Sequence, residues 1–292
     1  MARPKTGNVP DLAVLLTPPT PLMRAVEQGI LRRNEWSRAS APAAEQIAVR
    51  IAGLVVTDLI RAGQRLIESD ISETLHVSRA PVREALRILE RERLVEFEPR
   101  RGAVVTAPDA NDLADIYAVR AALYRILLAQ LMDRCPDSVE AVFDARMPAL
   151  VQAAEQGATD AYALEGFLLN LALFDLAQGR MIADMLASIS LRTLRYVRLG
   201  LVGDPERMAS SVRTWRALHR AVVRRDVDEV LRTAERRILS SRDAALQALE
   251  PPARRQAAPK PASRAAGRTE VRPGPAPAPV GRRRRAGIDT AS

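Results

Sequence analysis

The chain has 292 residues, 47% of them hydrophobic, a single cysteine and a formal net charge of +9. One or two domains with real cores fit that length; the lone Cys135 rules out a disulfide framework or a cysteine cluster for zinc or iron–sulfur, and no apolar run approaches the roughly 20 residues of a membrane span. The charge is uneven: residues 251–292 hold ten Lys and Arg against two Asp and Glu, whereas residues 43–108 hold ten of each, so nucleic-acid binding by the folded body must rest on placed arginines.

Residues 1–42 are rich in Pro, Ala and Arg without sustained periodicity and are expected as a disordered N-terminal arm, with a short helical piece around Leu22–Arg33. Their apolar stretch near Leu12–Leu16 is short and runs into Thr17-Pro18-Pro19, unlike a secretory signal, which implies a cytoplasmic, nucleoid-associated protein with no membrane partner. From Ala43, the pattern Ile47, Ile51, Leu54, Val55, Leu59 marks a helix closed by Ala62-Gly63. A short helix follows over Ser69–Leu75 and a third from Ser78 to about Arg93. Leu94–Glu98 and Ala103–Thr106 alternate apolar and polar residues around Pro99-Arg100-Arg101-Gly102, as a hairpin would. Residues 43–108 therefore predict a winged helix-turn-helix.

After Pro108 helical periodicity continues over 110–134, 137–156, 159–178, 180–200, 205–225 and 226–249, with breaks at Cys135-Pro136, Gly157, Gly179, Gly203-Asp204-Pro205 and Asp226. Short connections between apolar helices predict an antiparallel bundle of about six helices over residues 109–250, its second helix kinked at Pro148. The Arg/Pro/Ala-rich basic tail, 251–292, is expected to be disordered. The fold class is mainly α.

The run Val77-Ser-Arg-Ala-Pro-Val-Arg-Glu-Ala-Leu86 carries the most information. Ser78 can cap a helix and Pro81 is tolerated in its first turn. Val82, Ala85, Leu86 and Leu89 make one apolar stripe, with Arg79, Arg83 and Arg87 spaced by four along its flank. A guanidinium fork can bond guanine bidentately or hold phosphates, so this helix suits duplex reading. The same pattern also suits a surface helix with solvated arginines.

This run, together with Gly63-Gln-Arg-Leu66, Ile71-Ser-Glu73, Leu89-Glu90 and Arg101-Gly102, resembles the GntR family of bacterial transcription regulators, in the FadR subfamily with an all-helical FCD effector domain. The resemblance covers about residues 44–249. It implies a third helix in the major groove and a hairpin tip near the minor groove. Arg79 and Arg83 would then contact bases and phosphates, with Arg87 on the same flank; Ser78 would bond a phosphate, Arg100 and Arg101 would reach the backbone, and Gly102 would let the wing approach closely. It also implies a homodimer on a palindromic operator, most simply a repressor released by a small-molecule effector. Three positions depart from the family: Ala80 replaces a usual Thr, while His76 and Arg93 replace glycines and imply left-handed backbone.

Many FCD domains hold a divalent metal with an Asp and a His four apart and two later histidines. Threading that pattern here puts Phe167, Leu171, Trp215 and Arg237 at those positions, with His219 one turn past Trp215. Phe, Leu and Trp cannot coordinate and arginine is cationic, so no metal or other cofactor is expected. Arg120 lies within an apolar stripe of the first effector-domain helix and needs an anionic partner, either a carboxylate from another helix or a ligand. The expected effector is an organic acid or acyl compound held by Arg120, with Arg192 or Arg237, against Phe167, Asn170, Leu171, Trp215 and His219. Only His76 and His219 occur, and no phosphate-cradling glycine motif exists, so no catalytic residue is expected and the chain is not read as an enzyme. An architectural DNA-binding protein with basic tails and a ligand-blind bundle is the competing reading.

Overall fold

The computed structural model describes residues 9–33, 41–99 and 102–249. A 3-10 turn over Leu12–Leu16 is capped by the Asp11 carboxylate, which accepts from the Ala13 N–H at 3.0 Å. Thr20 then accepts from the Met23 N–H at 3.3 Å, and Pro21, with φ already helical and no N–H to waste, starts helix α1 (Pro21–Arg33). Leu22, Met23, Val26 and Ile30 repeat at helical spacing and are buried. The helical piece expected around Leu22–Arg33 is present as α1, its apolar stripe packed on α2; the expected disorder is corrected over residues 9–20, where the capped turn is ordered although prolines crowd the entry to α1. The rest of that arm, and the tail 251–292, lie outside the described residues.

The winged helix-turn-helix consists of α2 (Ala43–Val56), β1 (Arg65–Leu66), α3 (Glu68–Leu75), α4 (Arg79–Arg91), β2 (Val95–Glu98) and β3 (Gly102–Val105). Helix α2 stops earlier than its apolar pattern suggested, because Asp58 takes a left-handed φ of 63° and turns Leu59 out to solvent. His76 (φ 53°) and Arg93 (φ 58°) are left-handed, as the departures from glycine implied. The first closes α3 and the second separates α4 from β2. The sheet runs β1-β3-β2, with Val95 opposite Val105 and Phe97 opposite Ala103. Strand β1, two residues long, is too short for an alternation signal.

The bundle consists of α5 (Ala110–Arg134), α6 (Pro136–Glu155), α7 (Thr159–Asp175), α8 (Arg180–Leu201), α9 (Pro205–Val223) and α10 (Val227–Leu249). Asp109 and Asp204 cap α5 and α9 through their carboxylates. Helix α6 runs unbroken through Pro148. Two apolar cores form. One fills the bundle; the other unites α1, the winged helix-turn-helix and, from the bundle, Ala163, Phe167, Leu191 and Leu194. An ion pair between Arg195 on α8 and Asp58 after α2 also joins the two regions.

Candidate nucleic-acid interface and buried arginine cavity

Helix α4 buries Val82, Ala85, Leu86, Ile88 and Leu89 and leaves Ser78, Arg79, Arg83 and Arg87 exposed. Ser78 occupies the cap position of α4, but its hydroxyl makes no capping bond, so the expected side-chain cap is absent and the hydroxyl faces solvent. The three arginines differ in their surroundings. Arg79 has no hydrogen-bond or ion-pair partner among the described residues. Arg83 reaches across to α3, where both Glu68 carboxylate oxygens accept from it at 3.0–3.2 Å. Arg87 donates to Glu90 at 2.9 Å and lies 4.3 Å over the Phe97 ring of the wing. Recognition helix, preceding helix and wing are thus tied together by the arginines' own partners, and Arg79 projects alone. Gly102 has a left-handed φ of 76°, with nothing within 4 Å of where a Cβ would stand. Arg100 and Arg101 lie outside the described residues.

Inside the bundle, α5, α7, α8, α9 and α10 enclose a cavity of about 90 Å³. It brings together five of the eight expected effector residues, Arg120, Phe167, Asn170, Trp215 and Arg237, and none of its lining residues is Asp or Glu. Arg120 is buried. It donates to the Thr193 hydroxyl at 2.8 Å, while its Nε has no partner. No carboxylate from another helix meets it. Desolvation pulls its pKa down to about 10, with Arg237 pushing the same way and the Tyr117 and Tyr124 hydroxyls opposing. Arg237, also buried, stacks 3.9 Å from the Trp215 ring centroid and 5.4 Å from that of Tyr124, and its Nε and one terminal nitrogen lack partners. The Asn170 carbonyl oxygen is also buried without a partner. Isolated charges in such a medium are costly. A small anion with two or more acceptor oxygens would satisfy the unpaired guanidinium donors of Arg120 and Arg237 together.

The sequence did not single out the hydroxyl-rich wall. Ser190, Ser210, Ser211, Thr214, Ser240, Ser241 and Tyr162 line the cavity. Tyr162 donates to Ser211 at 2.7 Å, and burial pushes its phenol up to about 12. Scattered serines at helical spacing resemble solvated surface until the helices are packed, so only their joint phase would have revealed them.

Three expected residues lie elsewhere. Leu171, one turn past Phe167, points toward α1, where a Cβ on Gly29 would sit 3.8 Å from it. His219, one turn past Trp215, stacks on Phe143 at 5.4 Å with its Nε2 3.0 Å from the Asp144 carboxylate, toward α6. Arg192 lines a separate cleft of about 370 Å³ between the bundle and the winged region, beside Arg93, Asp112 and Arg195. The family's metal does not fit either. Of the threaded positions, Phe167 and Trp215 present apolar rings to the cavity and Arg237 a cation. Among the described residues no group of three His, Cys, Asp or Glu side chains converges on one point.

Comparisons with known proteins agree on the architecture. Residues 43–105 match the family model of bacterial regulatory proteins, gntR family, and residues 115–240 match that of the FCD domain. The chain is 31% identical over 131 residues to an HTH-type transcriptional regulator from the TAR-I ttuE-ttuC' intergenic region of Agrobacterium vitis, covering 45% of this chain and 70% of that one. It is 38% identical over 87 residues to the gluconate operon transcriptional repressor of Bacillus subtilis, covering 30% and 35%. The first curated relatives are spanned over less than half of their own length. The solved structure of E. coli McbR/YncC superposes with a TM-score of 0.62 at 18% identity, over 72% of this chain and 100% of that one. No described helix is long and apolar enough to cross a membrane.

Proposed function

The chain belongs to the gntR family of bacterial regulatory proteins and carries an FCD domain, and on that premise we propose that it is an effector-controlled, operator-specific repressor acting as a homodimer. Family members are transcription regulators and not enzymes. In this reading residues 43–108 read DNA, with Arg79 at a base edge in the major groove and Ser78, Arg83 and Arg87 on phosphates. The wing residues Arg100, Arg101 and Gly102 belong to the same reading. Residues 109–250 bind the effector and pair the subunits, and the basic tail adds salt-sensitive, non-specific attraction.

The effector is a small organic acid. One observation carries this: two buried guanidinium groups, Arg120 and Arg237, face a cavity without a single acidic lining residue. Its carboxylate replaces the missing counter-ion, the serine hydroxyls that line the cavity donate to its remaining oxygens, and Phe167 and Trp215 cover its carbon skeleton. DNase footprinting on duplexes selected from a random pool, with and without small mono- and dicarboxylates, tests the proposal. A discrete two-fold footprint that one of these acids weakens is the expected result. Uniform coverage would instead establish the architectural reading. A discrete footprint blind to every acid, with Arg120→Ala neutral, would overturn the effector assignment.

A further inference from the structure

Residues 9–33 lie outside both stretches that match the family models, yet they are packed against both regions of the molecule. On one side, Arg50 of α2 grips the 3-10 turn: its Nε donates to the Leu15 carbonyl at 3.1 Å, and one terminal nitrogen donates to the Val14 carbonyl at 3.0 Å and to that of Thr17. The same turn touches α3, the helix before the recognition helix. Met23 of α1 lies so close to α2 that a Cβ on Gly53 would stand 3.0 Å from the Met23 Cβ. On the other side, Gly29 of α1 lies against the cavity wall, where a Cβ would meet the Phe167 ring at 3.4 Å. Phe167, Ala163 and Leu194 both line the cavity and belong to the apolar core shared by α1 and α2.

From this placement we propose that residues 9–33 form a strap that carries effector occupancy from the Phe167 wall through α1 to α2 and α3 of the DNA-reading region. The ring of Phe167 is the moving part. A ligand that enters a cavity of about 90 Å³ must displace its lining, and a close-packed core passes such a shift on as a discrete repacking. Gly29 supplies the smooth surface on which the ring slides, and Arg50 fixes the far end of the strap to α2. The Asp58–Arg195 pair is a second bridge between the regions.

The proposal rests on reading the cavity as the effector site, so its test uses a side chain in place of a ligand. In the full chain, Gly29→Leu pushes on Phe167, and Arg50→Ala unfastens the turn while leaving the cavity and α4 untouched. Affinity is measured for a duplex that the wild-type chain selects from a random pool. Gly29→Leu should shift it by about fivefold or more, and by less than about twofold in the Arg50→Ala background. An equal shift in both backgrounds would overturn the strap. So would no shift in either while hydrogen exchange over residues 163–171 is altered. If Gly29→Leu does not fold, Gly29→Ala places its methyl in ordinary contact and should still change exchange protection of α3, again only with Arg50 present. Unchanged α3 protection would then overturn it. A screen in which no acid binds would sink the effector reading and leave this result standing.

Discussion

Arginine does opposite work in the two halves of this molecule. On α4 the guanidinium groups of Arg83 and Arg87 are exposed and each has a carboxylate partner. In the bundle those of Arg120 and Arg237 are buried and have none. The exposed groups lose little by exchanging a carboxylate for a phosphate, since water screens both states. The buried groups carry a desolvation cost that an anion entering the cavity would relieve. One surface is therefore built to exchange partners cheaply, and one cavity is built to gain strongly from acquiring one.

The largest effects should come from breaking the buried side. Arg120→Met removes a desolvated cation without opening a hole. It should weaken binding of an anionic effector by about 2–5 kcal/mol, read by calorimetry, while raising the ligand-free stability by about 1–4 kcal/mol in denaturant melts. A loss of stability would mean that Arg120 has a partner, such as a trapped anion. The pH dependence has a defined sign. Folding lowers the pKa of Arg120 from its ordinary value to about 10, so above pH 10 the unfolded chain binds more protons at this site than the native one does. The cost is fully present below pH 10 and is relieved as pH rises above 10 toward the ordinary arginine range. The stability advantage of Arg120→Met over the wild type should accordingly narrow across that window, a comparison in which the other titrating groups largely cancel.

Next comes Arg79, the member of the Arg79/Arg83/Arg87 flank that has no partner among the described residues. Arg79→Ala should cost about 1–3 kcal/mol on the selected operator and relax preference at one base pair per half-site. In gel shifts across a set of single-base variants, a uniform loss over all of them would move Arg79 from base reading to phosphate holding.

Which of these arginines could be placed from sequence follows a rule of helix geometry. Periodicity gives the face a residue occupies but not its height along the axis. Phe167 and Leu171, and likewise Trp215 and His219, share a face, yet a step of four residues advances about 6 Å. That step carries Leu171 past the cavity to α1 and His219 past it to Phe143. On α8 the failure was one of phase. Thr193, which holds Arg120, is next in sequence to Arg192, and about 100° of rotation sends the latter to the interdomain cleft. Element boundaries were legible because they are set locally, by Asp109, Pro136, Gly179 and Pro205 and by the left-handed turns at His76 and Arg93. The docking of α1 was not, since its stripe acquires meaning only once α2 and α7 supply the surface that covers it.

The smallest effect tests the exposed side of the comparison most directly. The Arg83 side chain is 63% exposed and its partner Glu68 28%, so water screens the pair and Glu68→Gln should scarcely move the melting temperature. The same change frees the Arg83 fork from its carboxylate and removes a negative charge facing the duplex. Affinity for DNA of arbitrary sequence should therefore rise slightly, with operator preference unchanged. Arg83→Ala should do the reverse and make the log–log salt dependence shallower by about 0.9 per lost phosphate contact. If Glu68→Gln instead lowered DNA affinity, the carboxylate would be orienting Arg83 for a specific contact, and the exposed arginines would have to be counted as preorganised in the way the buried ones are.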